Sequence, residues 1–287
     1  MPLKINQNEC IACGSCMGNC PNRAIVRRDE KVCITDMCND CGICTRYCPI
    51  NAIGKGTIAA ELNVEILAQE LQRKLSLKKQ IAAMKFVSTL PDDIPLEQGP
   101  HFWCGMCGDI FDGSDATLVF TAEASTCGGC ANIGLGALKV DREDFITACD
   151  ANTVGPGKLY ATKSAMTANR RCFPGFSRVA KGMIIGPLSK IQNPDVVIFP
   201  LTAQQMCMVA TAFGYETGEV MQGFAGKSTC LMTVSTPLET NRPVFTAGDH
   251  GGRMFMRLEE GEMLVSFPFS LVPGLVTCLD KTVFAQE

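Results

Sequence analysis

Eighteen cysteines among 287 residues, against two histidines, make the thiolate the chemistry to read first. Eight of them fall in two runs of one spacing. The first is Cys10-x-x-Cys13-x-x-Cys16-x-x-x-Cys20-Pro21, and the second is Cys38-x-x-Cys41-x-x-Cys44-x-x-x-Cys48-Pro49. Thiolates are soft ligands for zinc and for iron–sulfur clusters. A tight loop with Cys at every third residue points three sulfurs at one face of such a body. Gly14 and Gly42 let the backbone bend closely there, so that N–H groups meet the charge of inorganic sulfide. Pro21 and Pro49 redirect the chain after the fourth thiolate. Two copies of one register, each closed by Cys-Pro, argue against a structural zinc site. No secretory signal leads the chain at Met1-Pro2-Leu3-Lys4, which argues against a disulfide framework.

Each run resembles that of bacterial two-cluster ferredoxins. The resemblance implies two 4Fe–4S clusters, with the fourth Cys of each run ligating the other cluster. Cys10, Cys13, Cys16 and Cys48 would hold one cluster, and Cys38, Cys41, Cys44 and Cys20 the second. Such clusters do one-electron chemistry. The runs also form an internal repeat, with residues 10–28 matching 38–56 at an offset of 28. Ala24-Ile25 and Ala52-Ile53 are then equivalent core contacts. Cys33 lies outside both runs and reads as a buried strand residue.

These residues need a small domain to position them, and the length leaves room for a larger one. The expected division is residues 1–58 and 59–287. The apolar fraction of 46% supports a well-buried core. The longest apolar run, Leu264 to Leu279, contains Pro268, Pro273, Ser266 and Ser270, so no membrane span is expected. A net charge of −3 does not point to nucleic acid. Residues 1–58 carry seven Lys and Arg against five Asp and Glu, a basic balance that suits a fixed relay rather than a free acidic carrier. The cysteine usage points to a reducing cytoplasm and a strict anaerobe.

Leu62, Val64, Ile66, Leu67, Leu71 and Leu75 predict a helix from about Ala59 to Lys79. Strands are expected over 81–87, 118–123, 195–200, 231–235, 254–258 and 262–267. Pro91 to Pro100 is a loop, Gly128 to Gly136 a segment that opens a helix, and Thr202 the N-cap of a helix to Phe213. Strands and helices do not alternate regularly. The class is α+β: a small two-cluster ferredoxin-like domain, then a larger mixed domain.

The second domain repeats stretches of an archaeal Cys-rich family, domain-of-unknown-function family 169, and resembles it. They are Ile81 to Val87 with Pro91-Asp-Asp-Ile-Pro95, Ser125-Thr-Cys-Gly-Gly-Cys130 with Gly134-Leu-Gly136, Pro194 to Phe199 with Gln204-Gln-Met, and Gly248-Asp-His-Gly-Gly-Arg253 ahead of Glu262-Met. The resemblance implies a fold relative and no known reaction. Within it, Cys104-Gly-Met-Cys107 and Cys127-Gly-Gly-Cys130 are two Cys-x-x-Cys pairs that can close one site. A third iron–sulfur cluster, a zinc, and a set of redox or core thiols all remain open. His101 and Trp103 flank the first pair. Asp249, His250 and Arg253 are the candidate catalytic residues: an acid, a proton-transfer imidazole and a guanidinium on a Gly-rich backbone. The plainer reading of that stretch is a turn between strands. Cys207 and Cys278 read as core. Cys172 and Cys230, beside basic residues, are candidates for a reactive thiol, Cys149 is one more scattered cysteine, and Lys163, Arg170, Arg171 and Arg178 form a basic cluster.

The function expected is an iron–sulfur redox protein that relays single electrons to a site in the second domain. The alternatives are a non-catalytic electron-transfer subunit of a larger oxidoreductase, and a redox sensor or cluster carrier. The partners implied are an electron donor or acceptor protein and a small-molecule substrate, with a homo-oligomer left open. No G-x-G-x-x-G follows a strand, so a nicotinamide is not supported, while a flavin stays open.

Overall fold

A repeat offset by 28 residues predicts two copies of one supersecondary unit, and the chain forms them. A computed structural model describes residues 3–7, 9–35, 37–38, 42–50, 52–55, 63–98, 103–121, 161–170, 172, 180–224 and 229–286. Its first copy is β1 (Leu3–Ile5), α1 (Ser15–Gly18) and β2 (Ile25–Arg28). At the expected offset follow β3 (Lys31–Ile34), α2 (Ile43–Arg46) and β4 (Ile53–Lys55). Every strand pairs with one from the other copy, β1 antiparallel to β4 and β2 antiparallel to β3. Gly14 and Gly42 cap the two helices at φ of 80° and 73°, a left-handed backbone that glycine adopts without a Cβ clash. Ala24 and Ile25 are 0% and 5% exposed, Ala52 and Ile53 3% and 6%, so the repeat's predicted core contacts match. Cys33 is on β3 as expected but only half-buried. Val32 takes the core position, and adjacent strand residues point to opposite faces.

The chain divides into two compact units, Met1–Asn63 and Val64–Glu287. The expected boundary at 58 falls among residues 56–62, outside the described residues. The second unit begins with α3 (Val64–Lys74). That helix stops short of the predicted Lys79, and Ser76 has turned to a φ of 49°. Strand β5 (Ala82–Val87), helix α4 (Trp103–Phe111), strand β6 (Leu118–Phe120) and helix α5 (Lys163–Arg170) follow. Next come β7 (Gly182–Pro187), β8 (Val196–Leu201), α6 (Ala203–Thr217) and β9 (Gln222–Phe224). A π-helical turn (Leu231–Ser235) runs into α7 (Thr236–Thr240), and the unit closes with β10 (Val244–Thr246), α8 (His250–Phe255), β11 (Met263–Pro268) and α9 (Val272–Leu279).

Among the described residues the strands of this unit form one seven-stranded sheet in the order β6-β7-β5-β8-β11-β10-β9, antiparallel except where β9 runs parallel to β10. The α+β class therefore holds. Alternate residues of the central strand β8 feed two cores. Val197, Phe199 and Leu201 face α3, α6 and α9, while Val196 and Ile198 face α4 and the π-turn. Phe199 and Phe267 stack in the first core with ring centroids 6.4 Å apart, and Phe213 meets Phe267 edge-on at 6.3 Å. Helix α6 starts at a capping box, Thr202 Oγ1 accepting from Gln205 N and Gln205 accepting from Thr202 N. Among the described residues no helix is long and apolar enough to cross a membrane.

Three expectations fail for local reasons. Residues 231–235 are a π-turn rather than a strand, because the hydroxyls of this β-branched run bond within the helix. Thr233 Oγ1 donates to Thr229 O and Thr236 Oγ1 to Leu231 O, both at 2.8 Å. Residues 254–258 end α8 and turn rather than forming a strand, with Met256 buried and Met254 exposed at helical spacing. Cys207 is exposed rather than core, since α6 turns Met206, Val209 and Ala212 toward the sheet. Cys278 is core as expected. Residues 128–136 lie outside the described residues, as do 122–123 of the expected strand 118–123.

Candidate metal centre

The turn that the glycines allow sets the first group of thiols around α1. Cys10 and Cys13 lie on the loop before α1, Cys16 lies on it, and Cys48 arrives just after α2. These four cysteines, from both runs, line a single pocket whose walls include Ile5, Val32 and Ile53. Cys16 is buried and Cys13 exposed. Burial raises the Cys16 thiol above its ordinary value, and the thiols of Cys48, Cys13 and Cys10 add to the rise. The Ser15 hydroxyl, 3.5 Å from Cys13 Sγ, is the main cause that lowers the Cys13 thiol. Backbone donors aim at the sulfurs in a matched pair: Ala24 N reaches Cys20 Sγ at 3.3 Å and Ala52 N reaches Cys48 Sγ at 3.1 Å. Ala12 N does the same for Cys10 Sγ at 3.4 Å.

Cys20, Cys38 and Cys44 belong to the same small core, and Cys41 lies outside the described residues. The donor set fits an iron–sulfur cluster. It offers convergent thiols, backbone N–H groups directed at sulfur, and left-handed glycines that remove side chains from the approach.

In the second unit three motifs distant in sequence pack on one side of the sheet. Helix α4 carries Cys104 and Cys107 one turn apart. Cys107 is fully buried in the core with Trp103 and Met106, and burial pushes its thiol far above the ordinary range. A Cβ on Gly108 would stand 2.3 Å from Phe255 O, so glycine at 108 is what lets α4 rest on the end of α8. Gly252 of α8 in turn lies against Thr229, just before the π-turn, where a Cβ would be 2.3 Å from Thr229 Oγ1. Cys104 and Cys230 pack against the same core. Sequence reasoning missed Gly108 and Thr229. The only signal for Gly108 was a glycine directly after a Cys-x-x-Cys pair.

The Gly248–Arg253 stretch is a helix start, not a turn between strands. Asp249 caps α8, its Oδ1 accepting from Gly252 N at 2.6 Å and its Oδ2 from Thr229 N at 2.8 Å. Asp249 N donates to Thr229 Oγ1 at 2.8 Å. Arg253 ties together the segments on either side of α8, donating to Ala247 O before it and to Glu259 O and Glu262 O after it at 2.7–3.0 Å. Glu262 accepts from Lys79 at 2.7 Å. His250 alone of the three projects exposed. Cys172 is exposed, and Cys230 is half-buried. His101, Cys127, Cys130, Cys149, Arg171 and Arg178 lie outside the described residues, and for Lys163 and Arg170 the backbone alone is described, on α5. Among the described residues no three His, Cys, Asp or Glu gather closely enough to hold a single metal ion.

Alanine at Asp249 should therefore unfold the second unit more easily, by about 2 kcal/mol, because it removes a helix cap and strands the Thr229 N–H. Asparagine should be nearly as costly, since it turns an amide N–H₂ toward one of the two donors. Trp103, the single Trp and 2% exposed, reports this unit, so the shift is read from the urea midpoint of its fluorescence. An unmoved midpoint in both variants would remove the structural role.

Residues 3–26 match the 4Fe-4S binding domain, and residues 70–277 match the family described as uncharacterised ArCR. The chain belongs to that family, with a ferredoxin module at its N-terminus. A polyferredoxin protein MvhB of Methanothermus fervidus is 40% identical over 59 residues, 21% of this chain and 14% of that protein. A dihydromethanopterin reductase (acceptor) of Methanosarcina mazei is 36% identical over 81 residues, 26% of this chain and 30% of that protein. The MvhB of Methanothermobacter marburgensis is 39% identical over 51 residues, covering 18% and 12%. The chain spans less than a third of the length of these curated relatives. The N-terminal module is an iron–sulfur electron-transfer module, which implies a redox partner.

Proposed function

We propose that the module holds two 4Fe–4S clusters, one on Cys10, Cys13, Cys16 and Cys48, the other on Cys38, Cys41, Cys44 and Cys20. It relays single electrons between a donor or acceptor protein and a site served by the second unit. The observation that carries the reading is the pocket shared by Cys10, Cys13, Cys16 and Cys48. When bound, the clusters supply one-electron storage at each site. The residues of this chain hold them, exclude water with Ile5 and Ile53, and aim N–H groups at the sulfurs. Kinship of sequence with a polyferredoxin and a dihydromethanopterin reductase (acceptor) supports an electron-transfer role.

Between an enzyme and a relay subunit, the hydrogen bonds of the second unit favour the subunit. Asp249 and Arg253 are engaged in holding α8 and its loop, so we assign them positioning roles and leave His250 as the one exposed candidate for substrate contact. A third iron–sulfur cluster or zinc at Cys104, Cys107, Cys127 and Cys130 would have to draw on a Cys107 that packs as an apolar side chain.

Protein purified or reconstituted without oxygen should contain about eight iron and eight sulfide per chain. About twelve iron, falling to about eight in Cys127→Ala, would add the third centre. Fewer than about six iron, with zinc in its place, would sink the two-cluster reading.

A further inference from the structure

The guanidinium of Arg27 lies across the loop that carries Cys10 and Cys13. Arg27 extends from β2 with its side chain exposed, and its Nη2 donates to Ala12 O at 2.5 Å. Ala12 has a φ of 52°, a conformation unfavourable for a residue with a Cβ, so something must hold it. Its own N–H is aimed at Cys10 Sγ. The same Arg27 Nη2 stands 3.7 Å from where a Cβ on Gly14 would be, so the guanidinium reaches from Ala12 to Gly14, past Cys13. The Ala12–Cys13 peptide is trans. With its carbonyl turned to Arg27, the Cys13 N–H points the opposite way.

The charge matters as well as the geometry. Reduction of a cluster adds one negative charge, and a cation held against the loop that carries its thiolates lowers the energy of that state. The guanidinium is a planar, delocalised cation. The second run differs in sequence at the matching positions. Twenty-eight residues on, Arg27 is matched by Lys55 and Ala12 by Asp40. A point charge replaces a planar fork, and a carboxylate replaces a methyl group beside Cys41.

We propose that Arg27 positions the Cys10–Cys13 loop and makes the cluster of Cys10, Cys13, Cys16 and Cys48 the more readily reduced of the two. This rests on the two-cluster reading above. An electron delivered by a redox partner protein then settles on that cluster, with no bond made or broken.

The test is a redox titration of the full-length, anaerobically reconstituted protein, with electron paramagnetic resonance following each cluster. Wild type should show two separate one-electron steps. Arg27→Gln at full iron should move the higher step alone toward lower potential. The expected size is about a tenfold change in its reduction equilibrium, ~59 mV for one electron. Arg27→Lys keeps the charge and should move it far less. Raising ionic strength from 0.01 to 1 M shortens the screening length from about 30 to about 3 Å, which should bring the two wild-type steps together. A higher step that stays put in Arg27→Gln at full iron, or two steps that move equally, overturns the proposal. If Arg27→Gln loses iron that Arg27→Lys retains, the positioning role stands and the salt response of wild type decides the charge, an unchanged separation overturning it. About four iron in wild type would instead remove the two-cluster reading itself.

Discussion

Replacing Cys48 by alanine should cost the protein the cluster held by Cys10, Cys13 and Cys16, roughly half of about eight irons, and replacing Cys20 should cost it the other. Double variants show which thiols share a cluster. Cys48→Ala with Cys10→Ala should lose no more iron than either alone, because both changes strike one site. Cys48→Ala with Cys38→Ala should lose nearly all of it. If each fourth cysteine served its own run, the two double variants would exchange results. The grouping expected follows from one pocket lined by three cysteines of the first run and Cys48 of the second. It also agrees with the strands, each of which pairs with the opposite copy of the repeat.

Two glycines on one helix should respond in opposite directions. Alanine at Gly108 places a Cβ 2.3 Å from Phe255 O and 3.1 Å from Met256 Cα, backbone atoms that cannot step aside. The cost should be about 2–4 kcal/mol, as helix α4 is forced off the end of α8. Alanine at Gly105, with nothing within 4 Å of its Cβ, should stabilise by about 0.5–1 kcal/mol through reduced chain entropy. Both are read from urea midpoints on Trp103 fluorescence. Equal shifts in the two variants would mean that α4 and α8 do not meet at Gly108.

The small unit was legible because its spacing is dictated by a metal body. Cysteine at every third residue, glycine at 14 and 42, and Ala-Ile after each Cys-Pro left few ways to fold it. Strand β8 was legible from its β-branched run, and α6 from Thr202 as its N-cap, since local bonds announce a helix start. The stretch from Thr229 to Thr240 misled because β-branched residues favour strands unless their hydroxyls bond back along a helix, as Thr233 and Thr236 do. Gly248–Arg253 misled in the same way: glycine content suggests a turn, yet Asp249 caps a helix there. Cys207 sits in a helix apolar on several sides, so its exposed position left no mark on the pattern. The order of the seven strands is non-local and has no sequence signature. Cys127 and Cys130, the other half of the suspected third site, fall outside the described residues.

The strand order also sets a timetable during synthesis. The small unit has its last strand, β4, by Lys55. The large sheet is different: its middle strand β8 lies between β5 and β11, and β11 ends only at Pro268. At about 5–20 residues per second, the ribosome needs roughly 10–40 s to cover the interval. For that time the nascent chain will carry a module able to take up iron and sulfide, ahead of a body that still lacks a strand from the heart of its sheet. Cluster insertion can thus be finished before the larger unit has closed.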